Sequence, residues 1–270
     1  MHNRREPNEG VFVPMLPEER RIFIRDRLAS QRTVTATELV KELGVAMATV
    51  RRDLAILETE GALVRSHGGA VSKSSSADFQ PSYQVQQNTN RAEKKAIALA
   101  AKSLILDGEI VFLEGSSTVF ELAGLLTRYA HLTVVTNSPP ILSRLSQDSS
   151  IMLMSTGGEL QKDLHYLCGA WTRDVLSRTR LDKAILGISA IDTDYGVSTT
   201  RPAHGEIKKL LTSVAKTRIG LADHTKFGKQ NFAYIGPITD FDVIVTSSLT
   251  AATHIDALRA AGIEVIIAEM

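Results

Sequence analysis

Three short strings rich in hydroxyls and glycine hold the side chains best suited to gripping a small anion. They are Glu114-Gly115-Ser116-Ser117-Thr118, Thr136-Asn137-Ser138 and Thr156-Gly157-Gly158, and each closes a short apolar run. Glycine lets the backbone turn tightly and hydroxyls donate hydrogen bonds. A helix opening there adds free N–H groups at the positive end of its dipole. That is the chemistry of a phosphate cradle. Ser and Thr also cap helices everywhere, so any one string alone reads as a plain cap; three in succession converge on one place. A fourth string, Leu221 to Gly228, adds Lys226, able to meet a phosphate or a sugar hydroxyl, with Asp223 to orient it. The bland reading of Lys226 is a solvated loop lysine. His204 and His224 stand outside metal-ligand spacing and read as loop residues with polar contacts to a ligand, so no metal or cofactor is expected.

The elements that must position these strings are legible as an alternation. EIVFLEG, LTVVTNS, IMLMSTGG, KAILGISA, RIGLAD, VIVTSS and EVIIAEM read as strands. Helices fit at 118–128, 139–147, 169–179, 204–216 and 250–261, after a further one from Arg91 to Leu106 stopped by Asp107-Gly108. Continuous β-branched runs between helices predict a doubly wound, mainly parallel α/β sheet covered on both faces. Ligands of such sheets sit at the carboxyl ends of the strands, where the polar strings fall.

A second chemistry lies upstream. Arg51 and Arg52 stand side by side near the start of a helix whose apolar stripe is Met47, Val50, Leu54 and Leu57. Guanidinium groups so placed can meet phosphates or the O6/N7 edge of guanine. The preceding segment, Thr35 to Val45, reads as another helix ended at Gly44, and a helix over Glu18–Ser30 opens at Pro17. Helix, glycine turn, helix is the layout of a helix-turn-helix. The Gly-rich turn from Ser66 to Ala70 predicts a hairpin wing carrying Arg65 and His67. The alternative is an ordinary amphipathic helix with a solvated arginine pair, since between Ala46 and Ala70 three basic residues equal three acidic ones.

Composition bounds the rest. At 270 residues the chain has room for about two domains. Residues 1–75 carry 12 Lys and Arg against 10 Asp and Glu, leaving 19 against 20, an asymmetry too small to argue from. One cysteine, Cys168, excludes an internal disulfide and suits a reducing cytoplasm. No apolar run approaches the roughly 20 residues of a membrane span. The expected division is a loose tail at 1–15, a winged helix-turn-helix at 16–72, a polar linker at 73–90 and an α/β domain at 91–270.

The string from Thr35 to Ala70 resembles the N-terminal domain of the DeoR family of bacterial transcriptional regulators, and the resemblance runs over residues 16–270. It implies DNA contacts at Thr37, Met47, Ala48, Thr49, Arg51, Arg52, Arg65 and His67. Ala46 departs from the pattern, standing where the family usually has a Ser that caps the reading helix, a loss of about 1 kcal/mol. The resemblance also implies a C-terminal domain similar to ribose-5-phosphate isomerase and the CoA-transferases. Its implied effector contacts are Glu114, Gly115, Ser116, Ser117, Thr118, Thr136, Asn137, Ser138, Gly157, Gly158, Glu206, Asp223 and Lys226. Glu114 is one methylene longer than the usual Asp, and Ser116 replaces a Gly. The isomerases carry paired acids where this chain has Gly187-Ile188-Ser189-Ala190, and Asp192 and Asp194 lie out of register, so the acid–base pair is lost.

The expected function is therefore a repressor of a carbohydrate-use operon, with double-stranded operator DNA, a phosphorylated sugar and further copies of the chain (dimer or tetramer) as partners, and no membrane. The rival class is a sugar-phosphate isomerase or lyase with an accessory head, which turnover of pentose or hexose phosphates would reveal. A head serving only protein contacts is a third, which salt-dependent DNA binding would exclude.

Overall fold

The computed structural model describes residues 15–31, 33–60, 62–66, 68–72, 83–127, 129–147 and 150–270. The tail at 1–14, His67 and positions 73–82 of the linker lie outside the described residues. The chain divides into two compact units after Pro81.

The first unit runs α1 (Pro17–Gln31), β1 (Thr33–Thr35), α2 (Ala36–Leu43), α3 (Met47–Thr59), β2 (Leu63–Ser66) and β3 (Gly69–Ser72). Thr35 and Glu38 close a capping box on α2: the Thr35 hydroxyl accepts from Glu38 N–H at 3.2 Å and the Glu38 carboxylate accepts from Thr35 N–H at 3.0 Å. Gly44 ends α2 at φ 63°, a left-handed conformation that costs glycine little. The wing hairpin forms, and β1 joins it antiparallel to give a sheet of order β1-β3-β2. That third strand is three residues long, too short to leave a periodic signal. Ile24, Leu39, Val50, Leu54, Leu57 and Leu63 are buried together, each worth about 1.5–3 kcal/mol on burial. Asp53 is buried with them and accepts from Arg20 Nε at 2.8 Å, which ties α3 to α1.

The second unit begins with α4 (Tyr83–Asn88) and α5 (Arg91–Lys102), then β4 (Ile110–Leu113), α6 (Ser117–Ala123), β5 (Thr133–Thr136), α7 (Pro139–Leu145) and β6 (Met152–Ser155). A hairpin of β7 (Glu159–Gln161) and β8 (Tyr166–Cys168) leads to α8 (Ala170–Ser177) and β9 (Leu181–Gly187). Next come β10 (Ala190–Asp192), β11 (Gly196–Thr199), α9 (Pro202–Val214), β12 (Ala215–Leu221) and β13 (Ala233–Gly236). The last elements are β14 (Val243–Ser247), α10 (Ala252–Ala260) and β15 (Glu264–Ala268).

Seven strands form one sheet of order β15-β14-β12-β9-β4-β5-β6, every neighbouring pair parallel. Parallel pairing places a helix on either face, so Val111, Phe112 and Leu113 of β4 are all buried. Phe112 belongs to one apolar cluster and its two neighbours to the other, as alternation across a strand demands. The chain winds outward from β4 through β5 to β6, then returns to β9 on the other side. The strand order therefore reverses between β4 and β9, and in such sheets the ligand crevice lies outside the carboxyl ends at that point.

Two expectations needed correction. KAILGISA is not one strand: β9 ends at Gly187 and β10 joins the separate antiparallel sheet β10-β11-β13. A Cβ on Gly187 would lie 2.1 Å from Ser116 Oγ, so the backbone here is pressed against the neighbouring strand end. His204 is not a loop residue either. Pro202 starts α9 at its first position, where a missing N–H costs nothing, and this puts His204 in the first helical turn, buried.

Candidate functional site: a reading helix and a strand-end crevice

On the first unit, the start of α3 is exposed. Ala46 has extended cap geometry and no side-chain bond to the helix. Ala48, Arg51 and Arg52 face solvent, Thr49 is half-buried, and Met47 packs partly against the unit's core. Neither arginine has an ion-pair partner among the described residues, so both guanidinium groups keep all five donors free. Thr37 is exposed near the start of α2. Arg65 is exposed on β2, its N–H donating to Glu58 at 3.0 Å. Thr37, Ala48, Arg51, Arg52 and Arg65 thus present polar or small groups to solvent.

On the second unit, Glu114 sits at the switch point and is fully buried. One carboxylate oxygen accepts from Gly187 N–H at 3.0 Å and lies 3.2 Å from Lys208 Nζ; the other meets His204 Nε2. Lys208 Nζ also donates to the Gly187 carbonyl. Burial alone would push the Glu114 carboxyl up, but Lys208 and His204 override it and hold the group below the ordinary carboxylate range. Burial and the Lys208 charge push His204 down, so its ring is neutral.

The other strings are wired to this centre. Gly115 N–H donates to Asn137 Oδ1 at 3.0 Å, and Asn137 Nδ2 donates to the Leu167 carbonyl at 3.1 Å, which clamps β4, β5 and β8 together. Thr136 Oγ1 donates to the Leu113 carbonyl at 2.6 Å and accepts from Ser138 N–H at 3.0 Å. Ser116 and Ser138 cap α6 and α7, while Ser117 and Thr118 are buried in the first turn of α6. Gly157 and Gly158 both have positive φ, and a Cβ on Gly158 would lie 2.1 Å from Thr172 Oγ1. Gly158 also lines a cavity of about 300 Å3 with Glu159, Cys168, Ala170 and Trp171.

At the end of β12, buried Asp223 lies 3.6 Å from Lys226 Nζ and accepts from Thr225 N–H at 3.0 Å and Asn90 Nδ2 at 3.4 Å. Burial would raise its carboxyl; Lys226 and the Thr225 hydroxyl hold it low. Glu93, a partner the sequence did not reveal, accepts from His224 N–H at 2.7 Å and Ser247 Oγ at 2.5 Å. Donor atoms of Glu93, Asp223 and His224 lie within 4.8 Å of one another, the one described group able to hold a cation. Lys94, buried and lowered to about 8 by burial and by Lys226, donates to the Gln86 carbonyl of α4. The predicted residues thus gather at neighbouring strand ends, except Glu206, which is exposed on α9 and pairs with Arg173 at 3.7 Å.

Residues 20–76 match the model of the DeoR-like helix-turn-helix domain, and residues 89–248 match that of the DeoR C-terminal sensor domain. The chain belongs to the DeoR family. Among DeoR relatives, it is 33% identical over 255 residues to the HTH-type transcriptional repressor GlcR of Bacillus subtilis, covering 94% of this chain and 98% of that one. It is 32% identical over 250 residues to the putative aga operon transcriptional repressor of Escherichia coli O157:H7, covering 92% and 93%. A solved ribose 5-phosphate isomerase A from Methanocaldococcus jannaschii aligns with 53% of this DeoR-family chain and 56% of its own, at 17% identity and a TM-score of 0.40. Lys208 and Glu93 escaped the sequence reading because their partners lie far along the chain. One signal was available: Lys208 falls on the same face of α9 as His204 and Leu211, a charge on an apolar stripe.

Proposed function

We propose that this DeoR-family protein is a DNA-binding transcriptional repressor of an operon for carbohydrate use, released from its operator by a phosphorylated sugar held at the strand-end crevice. The observation that carries the reading is the pair Arg51 and Arg52, exposed and without an ion-pair partner among the described residues at the start of α3, where a winged helix enters the major groove. The relatives named as repressors support it. On the ligand side, support comes from the buried hydroxyls Ser117 and Thr118 opening α6 at the switch point and from Lys226 beyond the end of β12, two strands along the sheet from β4. Binding rather than turnover is favoured by the strand end Gly187–Ala190, which carries no carboxylate, and by Asp192, whose Oδ1 is taken up by the N–H groups of Asp194 and Tyr195. A sugar phosphate that binds the DNA-free arrangement more tightly shifts the population by that difference in affinity. Half-site reading by a winged helix calls for a symmetric oligomer.

The test is a gel shift at low ionic strength with duplexes from the chain's own genomic neighbourhood, run with and without pentose and hexose phosphates. Retarded DNA that a sugar phosphate sets free is the expected result. Failure to retard any duplex removes the DNA reading, and turnover of a sugar phosphate replaces it with the enzyme.

A further inference from the structure

Two buried side-chain polar atoms among the described residues have no hydrogen-bond partner: Thr199 Oγ1 and His204 Nδ1. Both lie on the short segment from the end of β11 into the first turn of α9, and the two residues are 0% and 3% exposed. Leaving a buried polar atom unmatched costs about 1–3 kcal/mol, so two on one segment call for a binding role.

The chemistry of the missing partner follows from the proton on His204. Glu114 is ionised and can only accept, so His204 Nε2, which faces it, carries the ring proton. The ring is neutral, hence Nδ1 holds a bare lone pair. Tyr166 stacks on the imidazole at 4.2 Å between centroids, 17° from parallel, and fixes its plane. Glu114 therefore acts as a positioning residue, setting the tautomer and the direction in which the lone pair points. A lone pair repels a phosphate dianion and attracts a hydroxyl.

We propose that His204 Nδ1 accepts a hydrogen bond from a hydroxyl of the ligand's sugar portion, with Thr199 Oγ1 as a second contact, so that the start of α9 reads the polyol while Ser117, Thr118 and Lys226 hold the phosphate. This rests on the sugar-phosphate reading above and adds a selectivity to it: ligands that present a hydroxyl here bind, and deoxy or O-methyl analogues are rejected.

The test uses the full-length protein and calorimetric titration with inorganic phosphate, glucose 6-phosphate, ribose 5-phosphate and their monodeoxy analogues. In the wild type, one deoxy analogue of a binding sugar phosphate should lose about tenfold in affinity, the worth of one good buried hydrogen bond. His204→Gln keeps an amide donor for Glu114 but has no lone pair at the Nδ1 position. It should lower the ratio of sugar-phosphate to inorganic-phosphate affinity about tenfold and bind the critical deoxy analogue as well as the parent sugar. If His204→Gln fails to fold, the wild-type deoxy series reads the same bond from the ligand side. Binding of sugar phosphates with no deoxy discrimination, or with the ratio unchanged in His204→Gln, overturns this inference alone. Binding of none of the probes overturns the sugar-phosphate reading and this inference with it.

Discussion

Replacing Ala46 with Ser should stabilise the first unit by an amount that can be worked out beforehand. Ala46 already has the backbone of a helix cap, φ −65° and ψ 149°, but its methyl offers the helix nothing. Thr49 N–H, at the third helical position, folds back onto the Ala46 carbonyl at 2.9 Å, which it shares with Val50 N–H at 3.2 Å. A serine hydroxyl at this position would accept from Thr49 N–H and relieve that sharing. The backbone pays no rearrangement cost, so the full gain of a side-chain cap applies, about 1 kcal/mol. For a unit of this size that is a rise in midpoint of about 4–8 °C. Scanning calorimetry of the full chain measures it, with Leu54→Ala as the control that marks which transition belongs to the first unit. Ala46→Asp should stabilise about as well, because the carboxylate also faces the positive end of α3, yet weaken operator binding by repelling phosphate. An unmoved or lowered midpoint in Ala46→Ser would show that the tight turn, not an absent oxygen, sets the stability of this helix start.

Arg52→Ala should weaken operator binding by about 1–3 kcal/mol if it meets a base, or flatten the salt dependence by about one unit of slope if it meets a phosphate; a gel shift at several salt concentrations that changes in neither way removes α3 from the interface. Lys226→Ala and Ser117→Ala should each raise the sugar-phosphate concentration needed for half-release of operator DNA, and an unmoved value would place the ligand elsewhere. Asp53→Ala leaves Arg20 without its buried partner and should cost the first unit about 3 kcal/mol, read by urea unfolding. In the second unit, Glu114 titrates below its ordinary 4.5 and His204 below its ordinary 6.5, so the unfolded chain binds the extra protons first. Their stabilisation is whole above pH 6.5 and falls as the pH drops, by up to about 1.4 kcal/mol per unit for each group. His204→Gln should erase the limb beginning at pH 6.5, and a wild type equally stable at pH 6.5 and 5.5 would refute the assignment.

The long parallel strands were legible because each is a continuous apolar run, buried on both faces, with a helix on either side. What escaped were pieces of three or four residues, such as β1, β7 and β10, whose pairing is settled by neighbours far along the chain. In the crevice, residue types and strand ends were readable, while engagement was not. Glu114 looked like a ligand contact in sequence, yet its two oxygens are occupied by Gly187, Lys208 and His204. Asn137 likewise spends its amide on Gly115 and Leu167. These bonds span from 22 to 94 residues of chain, a range that no local pattern encodes.

The fastening of α4 carries a consequence of its own. Tyr83 N–H donates to the Asp163 carbonyl at 2.9 Å, Tyr83 stacks on His165, and Lys94 grips the far end through Gln86. Asn90, just beyond, reaches Asp223. The stretch by which the polypeptide enters its second unit is thus moored to the loop ahead of β8 and to the end of β12. Displacing either mooring would therefore free α4 without breaking any strand pairing of the seven-stranded sheet.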